Sequence, residues 1–119
     1  LLALTLDPKR EKELWRWIDL RRGRYRLRIV AIGHRPYAEM DAVYRSARAL
    51  IYPSTLETIG LPLLEARQAG LPILAPELDY VRDVIDPEEV FDPESALSIA
   101  SVSLGFPNLL YLYASPRIL

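Results

Sequence analysis

Residues 49–76 read ALIYPSTLETIGLPLLEARQAGLPILAP: an apolar run, a polar turn, a helix-like segment and a second apolar run. Ala49-Leu50-Ile51-Tyr52 is short, apolar and stopped by Pro53, which is the pattern of a buried strand. Pro62 suits the first turn of a helix, where its missing N–H has no intrahelical use, and Gly70 suits the position just past the end. Pro72-Ile73-Leu74-Ala75-Pro76 then reads as the next strand. Two strands joined through one helix run parallel, because a parallel pair needs a crossover.

The same alternation extends in both directions. Upstream, Leu27 to Gly33 is a β-branched strand closed by glycine, and residues 38–49 place Met40, Val43, Tyr44 and Ala47 on one helical stripe. Further upstream, Asp7 is positioned to cap a helix that starts at Pro8, carries Leu14, Trp17 and Ile18 on an apolar face, and ends near Gly23. Downstream, Tyr80 to Ile85 suggests a short helix, and Asp92-Pro93-Glu94 opens a last one through Leu97, Ile99 and Ala100. The expected fold is α/β, a parallel sheet covered by helices on both faces, in one domain over residues 1–119. Ligands in such sheets sit at the carboxyl ends of the strands, so the residues after Gly33, Tyr52 and Ala75 are the ones that matter.

Composition agrees with one ordinary globular domain: 119 residues, half of them hydrophobic and 26% charged. A chain of this size buries about two-thirds of the surface it exposes when unfolded, enough for a core without covalent staples. The absence of cysteine excludes a disulfide framework, a thiolate zinc site and a cysteine nucleophile. No apolar stretch is long enough to span a bilayer, and Leu1 to Leu6 lacks the length and basic start of a secretion signal, so a cytoplasmic setting is expected. Net charge is −1, but ten of the fifteen basic residues fall within residues 1–35, and twelve of the sixteen acidic ones fall after them.

The chemistry concentrates between Pro53 and Ala66. Glu57 and Glu65 flank a turn and a helix start. Free N–H groups and the helix dipole at that start suit phosphate oxygens, and Gly60 permits close backbone approach. Helical side chains lean toward the amino end, so Glu65, about one turn in, reaches a ligand docked there and can accept from a ribose diol. Glu57, in the loop before the helix, can meet hydroxyls beyond the phosphates.

Within Pro-Ser-x-x-Glu-x-x-Gly-Leu-Pro-x-x-Glu-Ala, residues 53–66, the spacing from Glu57 to Glu65 resembles the Glu-x7-Glu signature of the family 4 retaining glycosyltransferases, of the group 1 type. The resemblance runs from Ile29 to Gly33 through Tyr44 to Ser54, Ala69 to Ala75 and Phe91-Asp92-Pro93, covering about residues 27–100. It implies the carboxyl-terminal donor-binding domain of a two-domain enzyme with Rossmann-like halves, the GT-B type, transferring a hexose from a nucleotide-diphosphate sugar to an acceptor hydroxyl. Under it Glu65 is the ribose contact, Glu57 the catalytic, sugar-side contact, and the backbone of Thr58, Ile59, Gly60 and Leu61 the diphosphate cradle. It also implies no metal, no cofactor, retention of anomeric configuration, and a setting in polysaccharide or glycolipid biosynthesis. Ile59 stands where the family has an aromatic residue. The family's diphosphate-neutralising Arg and Lys lie on the first strand and loop of this domain, for which no equivalent is expected before Asp7, and the acceptor site comes from the amino-terminal half. The isolated chain is accordingly expected to bind donor without transferring sugar; the alternative is a non-catalytic or truncated nucleotide-sugar-binding or interaction module.

Plainer readings stand beside these. Ser54 and Thr55 suit either phosphate or turn-forming hydrogen bonds, and His34 and Arg35 either a ligand or a solvent-facing loop. One histidine gives little scope for a hydrolase triad. The basic run from Lys9 to Arg28 carries interleaved Glu11, Glu13 and Asp19, which fits a solvated amphipathic helix rather than a nucleic-acid surface, and no nucleic-acid partner is expected. Ser95 to Pro116 is uncharged, and its Leu109 to Tyr113 stretch suits packing against the missing half or a peripheral membrane contact.

Overall fold

A computed structural model of the chain describes residues 1–55, 60–106 and 108–111. In chain order the elements are β1 (Leu2–Leu4), α1 (Lys12–Tyr25), β2 (Ile29–Ala31), α2 (Tyr37–Ser46), β3 (Ala49–Ile51), α3 (Leu61–Gln68), β4 (Ile73–Pro76), α4 (Asp79–Val84), β5 (Glu89–Phe91), α5 (Ala96–Ser103) and β6 (Leu109–Tyr111). The strands form one sheet in the order β2-β1-β6-β3-β4-β5, and every neighbouring pair is parallel. This is the α/β, Rossmann-like architecture expected from the alternation of elements.

The sheet buries both faces. On one, Leu50, Tyr52, Ile73, Ala75 and Leu110 pack with Tyr44 of α2, Leu63 and Ala66 of α3 and Val81 of α4. On the other, Ala49, Ile51, Leu74 and Phe91 pack with Ile99 and Val102 of α5. Alternate residues of β3 and β4 thus go to opposite faces, as the period of two in a strand requires. Right-handed crossovers explain the layering: the steps from β2 to β3, β3 to β4 and β4 to β5 run one way across the sheet and put α2, α3 and α4 on one face, while the return from β5 to β6 puts α5 on the other.

The chain moves to one side from β1 to β2 and to the other from β3 to β5. In open α/β sheets ligands sit at the carboxyl ends of the strands beside such a reversal. Tyr52 to Thr55 follow β3 at this edge, and α3 starts from it.

Three strands lack a sequence signal. β1, β5 and β6 are each three residues long and, unlike β2 and β3, are not set off by both an apolar β-branched run and a closing Gly or Pro. Leu109–Tyr111, expected to face a partner or a membrane, instead forms a central strand with Leu2↔Leu109↔Ala49 in register and Leu110 fully buried. Residues 112 and 113 lie outside the described residues.

The first helix also departs from expectation. Asp7 accepts the Lys9 N–H on its side chain, but its carbonyl takes the Arg10 and Glu11 N–H groups, closing a separate turn, and α1 begins only at Lys12. It runs through Gly23 and ends at Arg26, which adopts the left-handed conformation at φ 53°. No residue of α1 is buried: Trp15 and Ile18 are half-covered, whereas Leu14, Trp17 (54% exposed) and Leu20 (68%) face out. The face that turns inward is set by Trp15, Ile18 and Arg22, whose guanidinium donates to the Ile29 carbonyl.

Candidate functional site

Gly60 starts the site. It sits at the N-cap of α3 with φ 68° and ψ 44°, a left-handed conformation that costs an L side chain about 1–2 kcal/mol. A Cβ there would lie 3.2 Å from Leu63 Cδ1 and 3.7 Å from the Tyr80 ring. The first N–H groups of a helix lack intrahelical acceptors. Pro62 has none to offer and Leu63 N–H turns back to the Gly60 carbonyl at 2.9 Å; the amide of Gly60, itself a buried residue, and that of exposed Leu61 have no acceptor among the described residues. Glu57, Thr58 and Ile59, the other expected site residues, lie outside the described residues.

Glu65 is one turn into α3, and its Oε2 accepts the Tyr44 hydroxyl of α2 at 2.9 Å. Tyr44 is 2% exposed, and burial, reinforced by the Glu65 carboxylate, holds its phenol well above the ordinary tyrosine range. Glu65 opens on a small hollow of about 170 Å³ between α2 and α3, shared with Tyr37, Met40, Asp41 and Gln68. It is half-buried and fixed, unlike a solvated surface acid.

Two ties hold α3 in place. At its start the Tyr80 hydroxyl donates to the Ser54 carbonyl, while the Tyr80 ring lies beside Gly60. At its end Arg67 bridges to Glu88 at 2.7 Å and donates to the Asp86 carbonyl at 2.9 Å. Glu88 in turn accepts the Ile73 N–H at the start of β4. Burial works against the Glu88 charge, but Arg67 and that N–H outweigh it and hold the carboxyl below its usual range. Tyr44, Tyr80, Arg67 and Glu88 carry no motif of their own; they act through contacts 15 to 26 residues apart.

A larger hollow of about 620 Å³ lies at the carboxyl ends of β4 and β5, lined by Thr55, Leu78, Phe91, Glu77, Asp92 and Glu94. Arg82 lowers the Glu77 carboxyl pKa and is itself divided between Glu77 and Asp86, at 2.7 and 2.8 Å. Three acids with one committed cation make this hollow unfavourable for phosphate. Among the described residues no acidic or histidine cluster could hold a metal ion. Arg35 donates to the Ile32 carbonyl at 3.0 Å and approaches Glu39 at 3.7 Å, which ties it to its own loop; His34 is exposed beside it.

The pieces brought together are a left-handed glycine at a helix start and a braced acid one turn later. Comparison with known proteins places the chain in a family. Residues 12–102 match the family model described as glycosyl transferases group 1. Over 89 residues the chain is 32% identical to O-antigen chain mannosyltransferase B of Escherichia coli, an alignment covering 74% of this chain and 23% of that protein. The chain thus spans about a quarter of the length of this relative. No solved structure matches it. With the family model covering most of its length, the chain belongs to the group 1 glycosyl transferases.

Proposed function

We propose that this chain is the donor-binding half of a retaining, family 4 glycosyltransferase and holds a nucleotide-diphosphate sugar at the amino end of α3. The observation that carries the reading is Glu65: a half-buried acid, one turn beyond Gly60, held by a buried tyrosine and open to a hollow. Its carboxylate accepts from the ribose hydroxyls. The amides from Thr58 to Leu61 receive the diphosphate, where the positive end of the helix favours the charge that builds on the leaving phosphate as the bond to the sugar breaks. Glu57 contacts the sugar. The relative's name makes mannose the first hexose to test.

A diphosphate between two carboxylates needs opposing charge, since unit charges about 4 Å apart interact by several kcal/mol in a partly dry cleft. Arg35, Arg67 and Arg82 are all engaged elsewhere. We assign the neutralising cations to the first strand and loop of this domain and the acceptor site to a second, amino-terminal Rossmann-like half, with the enzyme working in the cytoplasm without metal or cofactor. We assign peripheral membrane contact to the outer face of α1, where Trp17 and Leu20 stand exposed among Arg16, Arg21 and Arg24.

Transfer is tested by supplying a cognate amino-terminal half in trans with labelled donor. Product of retained configuration is expected, with Glu57→Gln costing rate more than nucleotide affinity. Donor binding with no transfer supports the non-catalytic module instead.

A further inference from the structure

We infer that Tyr44 is a positioning residue, whose hydroxyl sets the Glu65 carboxylate for the ribose and so determines preference for ribo- over deoxyribonucleotides. The inference rests on the reading of Glu65 as the ribose contact.

The Tyr44 ring is part of the core under α2 and α3, packed in the same cluster as Leu63 and Ala66. Phenylalanine would fill that space equally well. A buried hydroxyl is unfavourable unless it finds a partner, and here it finds the Glu65 carboxylate at 2.9 Å. A glutamate side chain in a helix has three rotatable bonds, and an acid at the rim of a hollow samples many of their settings. Donation from a fixed phenol selects one. It occupies a lone pair on Oε2 and leaves Oε1, which has no hydrogen-bond partner among the described residues, aimed for a ligand. Ordering the acceptor before the ligand arrives removes that entropy loss from the binding step. Only hydroxyl groups that donate to Glu65 benefit, so the effect is confined to the ribose.

The test is calorimetric titration of the chain with uridine and guanosine diphosphates and with the 2′,3′-dideoxy form of each. The wild-type chain is expected to favour one ribonucleotide over its dideoxy form by about tenfold or more, the worth of a hydrogen bond to a charged group. In Tyr44→Phe that preference falls to about threefold or less, while dideoxy affinity stays unchanged. Glu65→Gln is expected to lose the preference as well, and Tyr44→Phe in that background to cost nothing further, a coupling that a purely structural tyrosine does not show. Full preference retained in Tyr44→Phe overturns the inference and leaves the Glu65 reading standing. Equal loss for ribo and dideoxy forms also overturns it, because a packing defect weakens both. Wild-type binding with no preference, or no binding, removes the Glu65 reading and this inference with it. Should Tyr44→Phe fail to fold, Tyr44→Met, which also removes the hydroxyl and keeps an apolar side chain, takes its place under the same criteria.

Discussion

Arg67 on α3 and Glu88 before β5 meet at 2.7 Å, and the same Glu88 accepts the Ile73 N–H at 2.5 Å, so one acid ties the end of the site helix to the start of two strands. Both side chains are more than a third exposed, and the ion pair by itself is worth less than about 1 kcal/mol. The backbone N–H is the larger stake. Glu88→Ala strands it and is expected to cost about 1–2 kcal/mol in urea unfolding, against less than about 1 kcal/mol for Arg67→Ala. Equal effects would show that the ion pair, not the N–H, carries the link. The pH dependence follows from the direction of the shift. The folded-state pKa of Glu88 is lowered, so its contribution is fully present above its ordinary value of 4.5 and is lost as pH falls through the folded value. Wild-type stability should therefore fall more steeply below pH 4.5 than that of Glu88→Gln.

Gly60→Ala is predicted to be costly at the site and modest in the fold. The left-handed backbone and the 3.2 Å approach to Leu63 together ask about 1–3 kcal/mol, part of which is relieved if the start of α3 shifts. Any such shift moves the Gly60 and Leu61 amides. The expected outcome is a small drop in unfolding free energy with a larger drop in nucleoside diphosphate affinity. Unchanged affinity in a stably folded Gly60→Ala chain would show that those amides do not hold the ligand.

The outer face of α1 makes a separate prediction. Arg21 stacks over Trp17 with its guanidinium carbon 3.6 Å from the ring centroid, leaving the indole exposed in a basic setting. Addition of vesicles containing phosphatidylglycerol should shift tryptophan emission to the blue at low salt, pure phosphatidylcholine should not, and Trp17→Phe should abolish the shift. No shift with anionic vesicles contradicts the assignment of membrane contact to this face.

Sequence was most informative where a local rule applies. Pro53, Pro62 and Gly70 mark the ends of β3 and α3 by backbone constraints that hold in any context, and α2, α3 and β4 fall within a few residues of their expected positions. The stripe of Met40, Val43, Tyr44 and Ala47 does pack on the core. Long-range pairing was not legible. β6 enters the middle of the sheet only because β1 and β3 leave a slot for it, and no property of Leu109–Tyr111 alone says so. The end of α1 misled for a related reason: Gly23 costs a helix about 1 kcal/mol, which the surrounding turns absorb. At the site, Gly60 and Glu65 were readable from their motif, whereas the brace from Tyr44 depends on how α2 lies against α3.

If Glu65 grips the nucleoside of an activated sugar, calorimetric titration of the wild-type chain and Glu65→Ala with uridine and guanosine diphosphates reads the contact out. One of them is expected to bind the wild-type chain, with the substitution weakening it by about tenfold or more and lowering the unfolding free energy by about 1–2 kcal/mol, the cost of leaving the Tyr44 hydroxyl unpaired. Equal affinity in the two chains, or no binding to either, contradicts it.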